Sequence, residues 1–197
     1  MNLAKLEVRG AKLKIMDLGG TVTMRPLWER YYSDVHGIAF VVDISPTSAM
    51  SKLMESRAFY RCMRDDESLA GVPILIFGNK ADERDDRDYK DGTTVVGTPN
   101  GCGVDSDSKE DCGAVGDGER TDEEMSGIIG SKSLLEITEL FLSVPRGSAL
   151  ESSPSQTEEE IALFAGSAKT GKAVRSAFEW LIDKAKVIEK DQRLRIG

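Results

Sequence analysis

The fold is decided by the stretch Val72-Pro73-Ile74-Leu75-Ile76-Phe77-Gly78-Asn79-Lys80-Ala81-Asp82, a short apolar run that ends in polar residues. A nearly continuous apolar run of this length is typical of a parallel strand that is covered on both faces. In folds of this kind, ligands bind just beyond the carboxyl ends of the strands. The polar tetrapeptide at the end of the run therefore lies where an α/β protein binds a nucleotide.

The residue types in this tetrapeptide suit guanine. The Asp82 carboxylate can accept hydrogen bonds from both the ring N–H and the exocyclic amine of guanine, whereas adenine offers no such pair of donors. The alternative is a strand that simply ends in a polar turn, because Asn, Lys and Asp are all common in turns. Taken alone, the tetrapeptide leaves both interpretations open.

Two other strand ends carry residues that suit a nucleotide. Leu13 to Met16 predicts a strand that delivers Asp17-Leu18-Gly19-Gly20. An acidic residue there can hold Mg²⁺ through water, and a glycine lets the backbone donate its N–H to a phosphate at close range. Glu160 to Phe164 predicts a further strand, and the small-residue loop Gly166 to Gly171 follows it. The order of these pieces, each at the end of a strand, favours a nucleotide site.

The apolar patterns along the chain predict an α/β fold. A hairpin is predicted from two alternating runs around a short polar turn, and three near-continuous apolar runs are predicted to form parallel strands. The hairpin runs are Leu3 to Val8 and Leu13 to Met16, and the parallel strands are Ile38 to Val42, Val72 to Phe77 and Ile161 to Phe164. Helices are predicted from Ser48 to about Leu69, within Leu134 to Leu142, and from Lys172 to about Ile188.

The charge is concentrated in one part of the chain. The net charge is −8, and residues 92–130 contribute −7 of it, with nine Asp or Glu against Lys109 and Arg120. The same residues include nine glycines and no aromatic, so they offer too little apolar surface to offset the entropy of ordering them. We therefore predict one domain over residues 1–197, with a disordered acidic insertion at 92–130 and a polar loop at 145–159. The acidic balance argues against nucleic acid as a partner.

Other classes of site find little support in the sequence. The three cysteines Cys62, Cys102 and Cys112 form no C-x-x-C pair, which argues against a zinc knuckle. His36 is the single histidine, and it cannot by itself complete a hydrolase triad. No apolar run approaches about 18 residues, the length of a transmembrane helix. Membrane attachment is not readable from the chain.

Taken together, these motifs resemble those of one known protein family. The chain resembles the ADP-ribosylation factor (Arf) branch of small GTPases at five stretches: Asp17 to Gly20, Arg25 to Tyr32, Val41 to Asp43, Asn79 to Asp82 and Ser167 to Lys169. Within that branch, Tyr31 to Gly37 and Ala173 to Trp180 most resemble the Arf-related group of the trans-Golgi. The resemblance covers residues 2 to about 83 and 160 to about 190. Arg-Pro-Leu-Trp is specific to Arf-like proteins, whereas Asn-Lys-x-Asp is shared by most GTPases.

The resemblance implies a P-loop NTPase-like three-layer α/β sandwich that works as a GTP-binding switch in vesicle and Golgi trafficking. The implied cofactors are GTP or GDP and Mg²⁺, and the implied partners are exchange factors, GTPase-activating proteins and membrane-trafficking effectors. It implies a cytoplasmic protein that attaches peripherally to Golgi membranes. The implied roles are Asp17 for Mg²⁺ through water, Gly20 for the γ-phosphate, Asn79 and Asp82 for guanine, Lys80 under the ribose, Ser167, Ala168 and Lys169 around the base, and Trp28 and Tyr31 for effectors.

The chain also departs from the family pattern. No G-x-x-x-x-G-K-[ST] loop occurs, so the first strand, the P-loop, the first helix and switch I are expected to be missing from a truncated domain. Thr21 stands at the usual position of the catalytic Gln, which leaves no catalytic residue and leaves GTPase activity open. Met16 replaces the usual tryptophan. Two alternatives therefore remain beside a GTP-binding switch: a pseudo-GTPase that binds partners with little nucleotide, and an inactive fragment.

Overall fold

The computed structural model describes residues 2–84, 94–96, 129, 133–142 and 161–196, with side chains of the last helix described as far as residue 187. The chain divides into two compact units, Met1–Val35 and His36–Gly197. Each unit carries part of the motif set.

The first unit begins with the predicted hairpin. Strands β1 (Asn2–Val8) and β2 (Ala11–Asp17) pair antiparallel, with Val8 opposite Ala11 at the turn. The two turn residues both have positive φ, 52° at Arg9 and 76° at Gly10. That combination matches the right-handed twist of the strands and makes a two-residue turn, which is shorter than the four residues, 9–12, between the predicted runs. A 3₁₀ helix (Val22–Leu27) and the short helix α1 (Glu29–Tyr32) follow.

The second unit contains a four-stranded sheet in the order β3-β4-β6-β5. The strands are β3 (Ile38–Asp43), β4 (Ile74–Asn79), β5 (Thr94–Val96) and β6 (Ile161–Ala165). Strands β3, β4 and β6 are parallel, as the apolar runs predicted, and β5 pairs antiparallel with β6. Central strand β4 is buried from Ile74 through Gly78, which explains why its sequence does not alternate.

Helices cover both faces of this sheet and make three layers, as predicted. They are α2 (Met50–Arg64), α3 (Leu134–Leu142) and α4 (Val174–Ile196). On one face, Leu75 and Phe77 pack against Ala177 and Leu181 of α4. None of the described helices combines the length and the hydrophobicity that spanning a bilayer requires.

Aromatic rings fill the space on the other face. The Tyr60 ring of α2 has its centroid 5.9 Å from that of Phe40 in β3 and 5.7 Å from that of Phe141 in α3. Tyr60 is fully buried, and Phe141 is 1% exposed. The predicted short buried helix around Leu134–Leu142 is therefore confirmed, and it completes the core through Tyr60.

The predicted disordered insertion at 92–130 is too long at both ends. Thr94–Val96 forms β5, because three β-branched residues can extend the sheet beside β6. At the other end Ile129 is fully buried, and its N–H donates to the Ser48 carbonyl at 2.8 Å. The rest of the insertion and the predicted polar loop at 145–159 lie outside the described residues.

The first prediction concerns the close packing around Gly166, just after β6. A Cβ added at Gly166 would lie 2.6 Å from the Lys172 carbonyl oxygen and 2.6 Å from Phe77 Cζ. The backbone oxygen cannot turn away as a flexible side chain can, so we expect Gly166→Ala to lower the free energy of unfolding by about 1 to 3 kcal/mol.

Urea unfolding of the purified protein measures this change. Gly20→Ala is the matched control, because a Cβ at Gly20 has nothing within 4 Å and the residue has no positive φ. Equal stabilities of the two variants would show that the Gly166 packing does not constrain the fold.

Candidate nucleotide-binding site

Three hydrogen bonds join the loops that follow β4 and β6. The Gly166 N–H donates to the Gly78 carbonyl at 2.8 Å, and the Ala81 N–H donates to the Gly166 carbonyl at 2.9 Å. The third bond runs from the Ala168 N–H to Asn79 Oδ1 at 2.8 Å. Asn79 and Ala168 are 89 residues apart in sequence, so the sheet brings the Asn-Lys-x-Asp motif and the Ser-Ala-Lys loop to one edge.

Asp82 is presented to solvent at that edge. It lies in a 3₁₀ turn, Ala81–Glu83, which the fully buried Ala81 fixes to the core. Asp82 itself is exposed, and within the described ranges no hydrogen bond or ion pair occupies its carboxylate. Both of its oxygens are therefore available to accept the two donors of a guanine base.

Lys80 is held by an acidic residue of the neighbouring strand. Its backbone is left-handed, with φ 66°, and its Nζ lies 2.6 Å from Asp43 Oδ2. Asp43 ends β3 directly opposite Asn79, and its other oxygen accepts the Ser45 N–H at 2.9 Å. A non-glycine residue with φ above zero costs free energy, and such strain concentrates at functional sites.

The ion pair shifts the pKa of both Asp43 and Lys80. Partial burial raises the pKa of Asp43, but hydrogen bonds from Lys80 and Ser45 outweigh it and hold that pKa below its ordinary 3.8. The hydrogen bond to Asp43 in turn raises the pKa of Lys80 above its ordinary value. Asp43 is the residue that sequence reasoning missed. Its position at the end of a parallel strand beside β4 was the signal that could have found it.

Ser167 does not face outward as a base-contacting residue would. It is 1% exposed, and its hydroxyl accepts the Thr170 N–H at 3.2 Å. Its own N–H donates to the Lys172 carbonyl at 3.1 Å. Ser167 therefore stabilises the conformation of its own loop through hydrogen bonds inside it. Ala168 and Lys169 are exposed beside it and remain the residues of this loop that can reach a ligand.

In the first unit, Asp17 ends β2 with its carboxylate exposed, and Oδ2 accepts the Asn2 amide N–H at 3.2 Å. The described residues contain no group of three potential metal-binding side chains. One carboxylate suits Mg²⁺ only through water, with phosphate oxygens as the other ligands. The role of Asp17 at a Mg²⁺ ion remains a prediction.

Gly20 is a glycine that the fold itself does not require. It has no positive φ, and a Cβ added there would have no neighbour within 4 Å. The phosphate contact that the resemblance implies at Gly20 remains a prediction. Next to it, the Thr21 hydroxyl lies 3.3 Å from the Thr23 hydroxyl, so the side chain at the usual Gln position faces its own turn.

Trp28 and Tyr31 are both half-buried and line one small apolar pocket with Leu18 and Met24. The Trp28 indole N–H donates to the Gly19 carbonyl at 3.0 Å. The polar atom of this tryptophan is thus used within the unit, while its ring contributes to the pocket. Effector binding at Trp28 and Tyr31 remains a prediction.

The comparisons with known proteins identify the family of the chain. The model of the ADP-ribosylation factor family matches residues 1–106, so the chain belongs to the Arf family of small GTPases. It is 37% identical over 82 residues to ADP-ribosylation factor-related protein 1 of Bos taurus, which covers 42% of this chain and 39% of that protein. It is also 37% identical over 91 residues to ADP-ribosylation factor-like protein 3 of Saccharomyces cerevisiae, covering 46% and 44%. The chain spans less than half the length of these curated relatives.

The second prediction concerns the hydrogen bond from the Ala168 N–H to Asn79 Oδ1. Asn79→Ala leaves the Ala168 N–H without its acceptor, so we expect faster amide exchange at Ala168 and a loss of about 1 to 2 kcal/mol in unfolding free energy. Asn79→Asp keeps an oxygen in the same place and should retain slow exchange. Exchange measured by NMR for both variants checks this, and equal protection in the two would contradict the bond.

The third prediction concerns the pH dependence of the ion pair between Lys80 and Asp43. Because the pKa of Asp43 is lowered in the folded state, the pair contributes stability above the unfolded pKa and loses it as pH falls through the folded value. In Lys80→Met, burial acts on Asp43 without the ammonium, so its pKa should rise. The ¹³C shift of the Asp43 carboxyl measured against pH tests this in both proteins. An unchanged midpoint would mean that Lys80 does not bind Asp43 in solution.

Proposed function

We propose that this protein is a guanine-nucleotide-binding switch of the Arf type that acts in membrane trafficking at the Golgi. The observation that carries the proposal is the Asn79–Ala168 hydrogen bond, because it assembles the two loops while Asp82 stays unpaired beside them. Asp82 binds the guanine N–H groups, Asn79 holds the loop above the base, and Ala168 with Lys169 covers it.

Selectivity for guanine follows from the cost of an unpaired acid. Guanine offers two donors to Asp82, whereas adenine would leave the carboxylate desolvated without a partner. Contacts to a base of about eleven heavy atoms supply about 3 to 6 kcal/mol, which corresponds to a dissociation constant near millimolar. Tight binding therefore requires phosphate contacts in addition to those of the base.

A second candidate function is a pseudo-GTPase, a partner-binding module with little or no nucleotide binding. The observation that favours it is Thr21, whose hydroxyl faces Thr23 and is too short to span an attacking water and a phosphate. The proposed partners of the switch are exchange factors, GTPase-activating proteins and trafficking effectors of the family, and those of the second candidate are effectors alone. The proposed location is cytoplasmic and peripheral on Golgi membranes.

The fourth prediction tests the proposed base recognition. Asp82→Asn replaces two acceptors by one acceptor and one donor, so guanosine binding should weaken by about 2 to 4 kcal/mol while xanthosine binding improves. Glu83→Gln is the matched control, since Glu83 is an exposed acid in the same 3₁₀ turn. It should bind guanosine as the wild type does.

An NMR titration of the two nucleosides into wild-type protein and both variants measures these affinities in the millimolar range. If Asp82→Asn and Glu83→Gln behave alike toward guanosine, Asp82 does not contact the base. If guanosine and adenosine bind the wild type equally, the guanine site itself is refuted.

A further inference from the structure

Asn79 and Lys80, which are neighbours at the end of β4, reach in opposite directions across the sheet. Strand β4 lies between β3 and β6. The Asn79 side chain bonds the loop after β6, where the Ala168 N–H donates to it at 2.8 Å. The Lys80 ammonium lies on the other side, 2.6 Å from Asp43 Oδ2 at the end of β3. The positive charge of the motif is therefore held on the β3 side, away from the loop after β6.

The Asp43 carboxylate has a firm support at the end of its strand. Its Oδ1 accepts the Ser45 N–H at 2.9 Å, which leaves Oδ2 for the ammonium. The next residue, Ile44, bonds both ends of the segment that contains the motif. Its N–H donates to the Asn79 carbonyl at 3.0 Å, and its carbonyl accepts from Arg84 Nη1 at 3.0 Å. Because Ile44 and Ser45 are buried, Asp43 is fixed in place before any ligand binds.

Two other carboxylates lie close to Lys80 along the chain. Asp82 and Glu83 follow it in a 3₁₀ turn, and the Glu83 N–H donates to the Lys80 carbonyl at 3.1 Å. The pKa of Lys80 is raised mainly by the hydrogen bond to Asp43 and to a smaller extent by the charge of Glu83. The ammonium is thus within electrostatic reach of this turn. On its flexible four-carbon stem, a lysine that loses Asp43 can turn toward these acids.

We infer that Asp43 is a positioning residue that holds the Lys80 ammonium away from Asp82 and so keeps the Asp82 carboxylate open to guanine. A carboxylate that pairs with an ammonium gives up acceptor sites that the two guanine donors need. Discrimination against adenine depends on those same sites. This inference rests on the proposed function, because it concerns the same base, and it adds a residue of β3 to the site.

The test is a double-mutant cycle that uses two uncharged nucleosides. Guanosine and adenosine are titrated by NMR into the full chain of the wild type, Asp43→Asn, Lys80→Met and the double variant. Asp43 is exposed, and Asn has its shape and keeps an oxygen for the Ser45 N–H, so the substitution removes the charge and preserves the fold.

We expect Asp43→Asn to lower the preference for guanosine over adenosine by about twofold to fivefold. This is the effect of an exposed ion pair, here between Lys80 and Asp82, that the base must displace. In the Lys80→Met background the same substitution should have no further effect, because no ammonium is left to move.

Salt dependence adds a readout that a purely structural role of Asp43 would not change. Both nucleosides are uncharged, so ionic strength acts mainly on the misplaced ion pair. The Debye length falls from about 10 Å at 0.1 M salt to about 3 Å at 1 M. The preference of Asp43→Asn for guanosine should therefore recover toward the wild-type value at about 1 M NaCl.

Matched controls alter the same residue types elsewhere in the second unit. Asp65→Asn removes an acid whose Oδ1 lies 3.1 Å from Arg64 Nη2, and Lys52→Met removes an exposed lysine of α2. Both should keep the wild-type preference at either salt concentration. Urea unfolding of every variant confirms that it is folded.

The outcomes separate the inference from the proposed function. An unchanged preference in Asp43→Asn overturns the inference while the guanine site stands. A loss that is equally large in the Lys80→Met background, or that high salt does not reduce, overturns it as well, because Asp43 would then act without the ammonium. Equal binding of guanosine and adenosine to the wild type refutes the proposed function and the inference with it.

Discussion

The hydrogen bond from the Ala168 N–H to Asn79 Oδ1 is the interaction on which the candidate site depends. It joins two loops that follow neighbouring parallel strands and come from distant parts of the chain. The ladder between β4 and β6 sets their distance, with Gly78 opposite Ala165 at the end of the register. Gly166 then brings the backbones close enough for the Ala81 N–H to reach its carbonyl. Without these contacts the loop after β6 would not be held beside Asp82, and the two loops would not form one site for a base.

Side chains of the candidate site divide into those that build it and those left for a ligand. Asn79, Lys80 and Ser167 all make hydrogen bonds within the protein. Asp82 and Lys169 are exposed beside them. The same division recurs in the first unit, where Arg25 and Trp28 bond the backbone and Gly20 stays open. Pre-organised donors and acceptors of this kind cost less free energy to order when the ligand binds.

The strands and helices of this chain could be predicted because their signals are local. Uninterrupted apolar runs identified three parallel strands, and alternation around Arg9 and Gly10 identified the hairpin. Strand β5 escaped prediction, since its three residues begin a stretch whose acidic, glycine-rich composition outweighs a short β-branched run.

Side-chain direction was the harder part of the site to predict. The motif placed Ser167 beside the base, but its direction depends on the Thr170 N–H that its hydroxyl meets. Asp43 escaped because its partner Lys80 is 37 residues away, and a pairing over that distance depends on strand order. Motif spacing identifies which residues gather at a sheet edge, whereas tertiary contacts decide which of them face a ligand.

The most direct test of the account is a ¹⁵N–¹H NMR titration of the wild-type chain with GMP and, separately, with AMP. The amides of Asp82 and Ala168 report on the two loops that the Asn79 bond joins. The account predicts that GMP shifts both signals with one common dissociation constant near millimolar, and that AMP shifts neither at the same concentrations. Equal shifts with the two nucleotides, or a GMP response that leaves both amides unmoved, would contradict it.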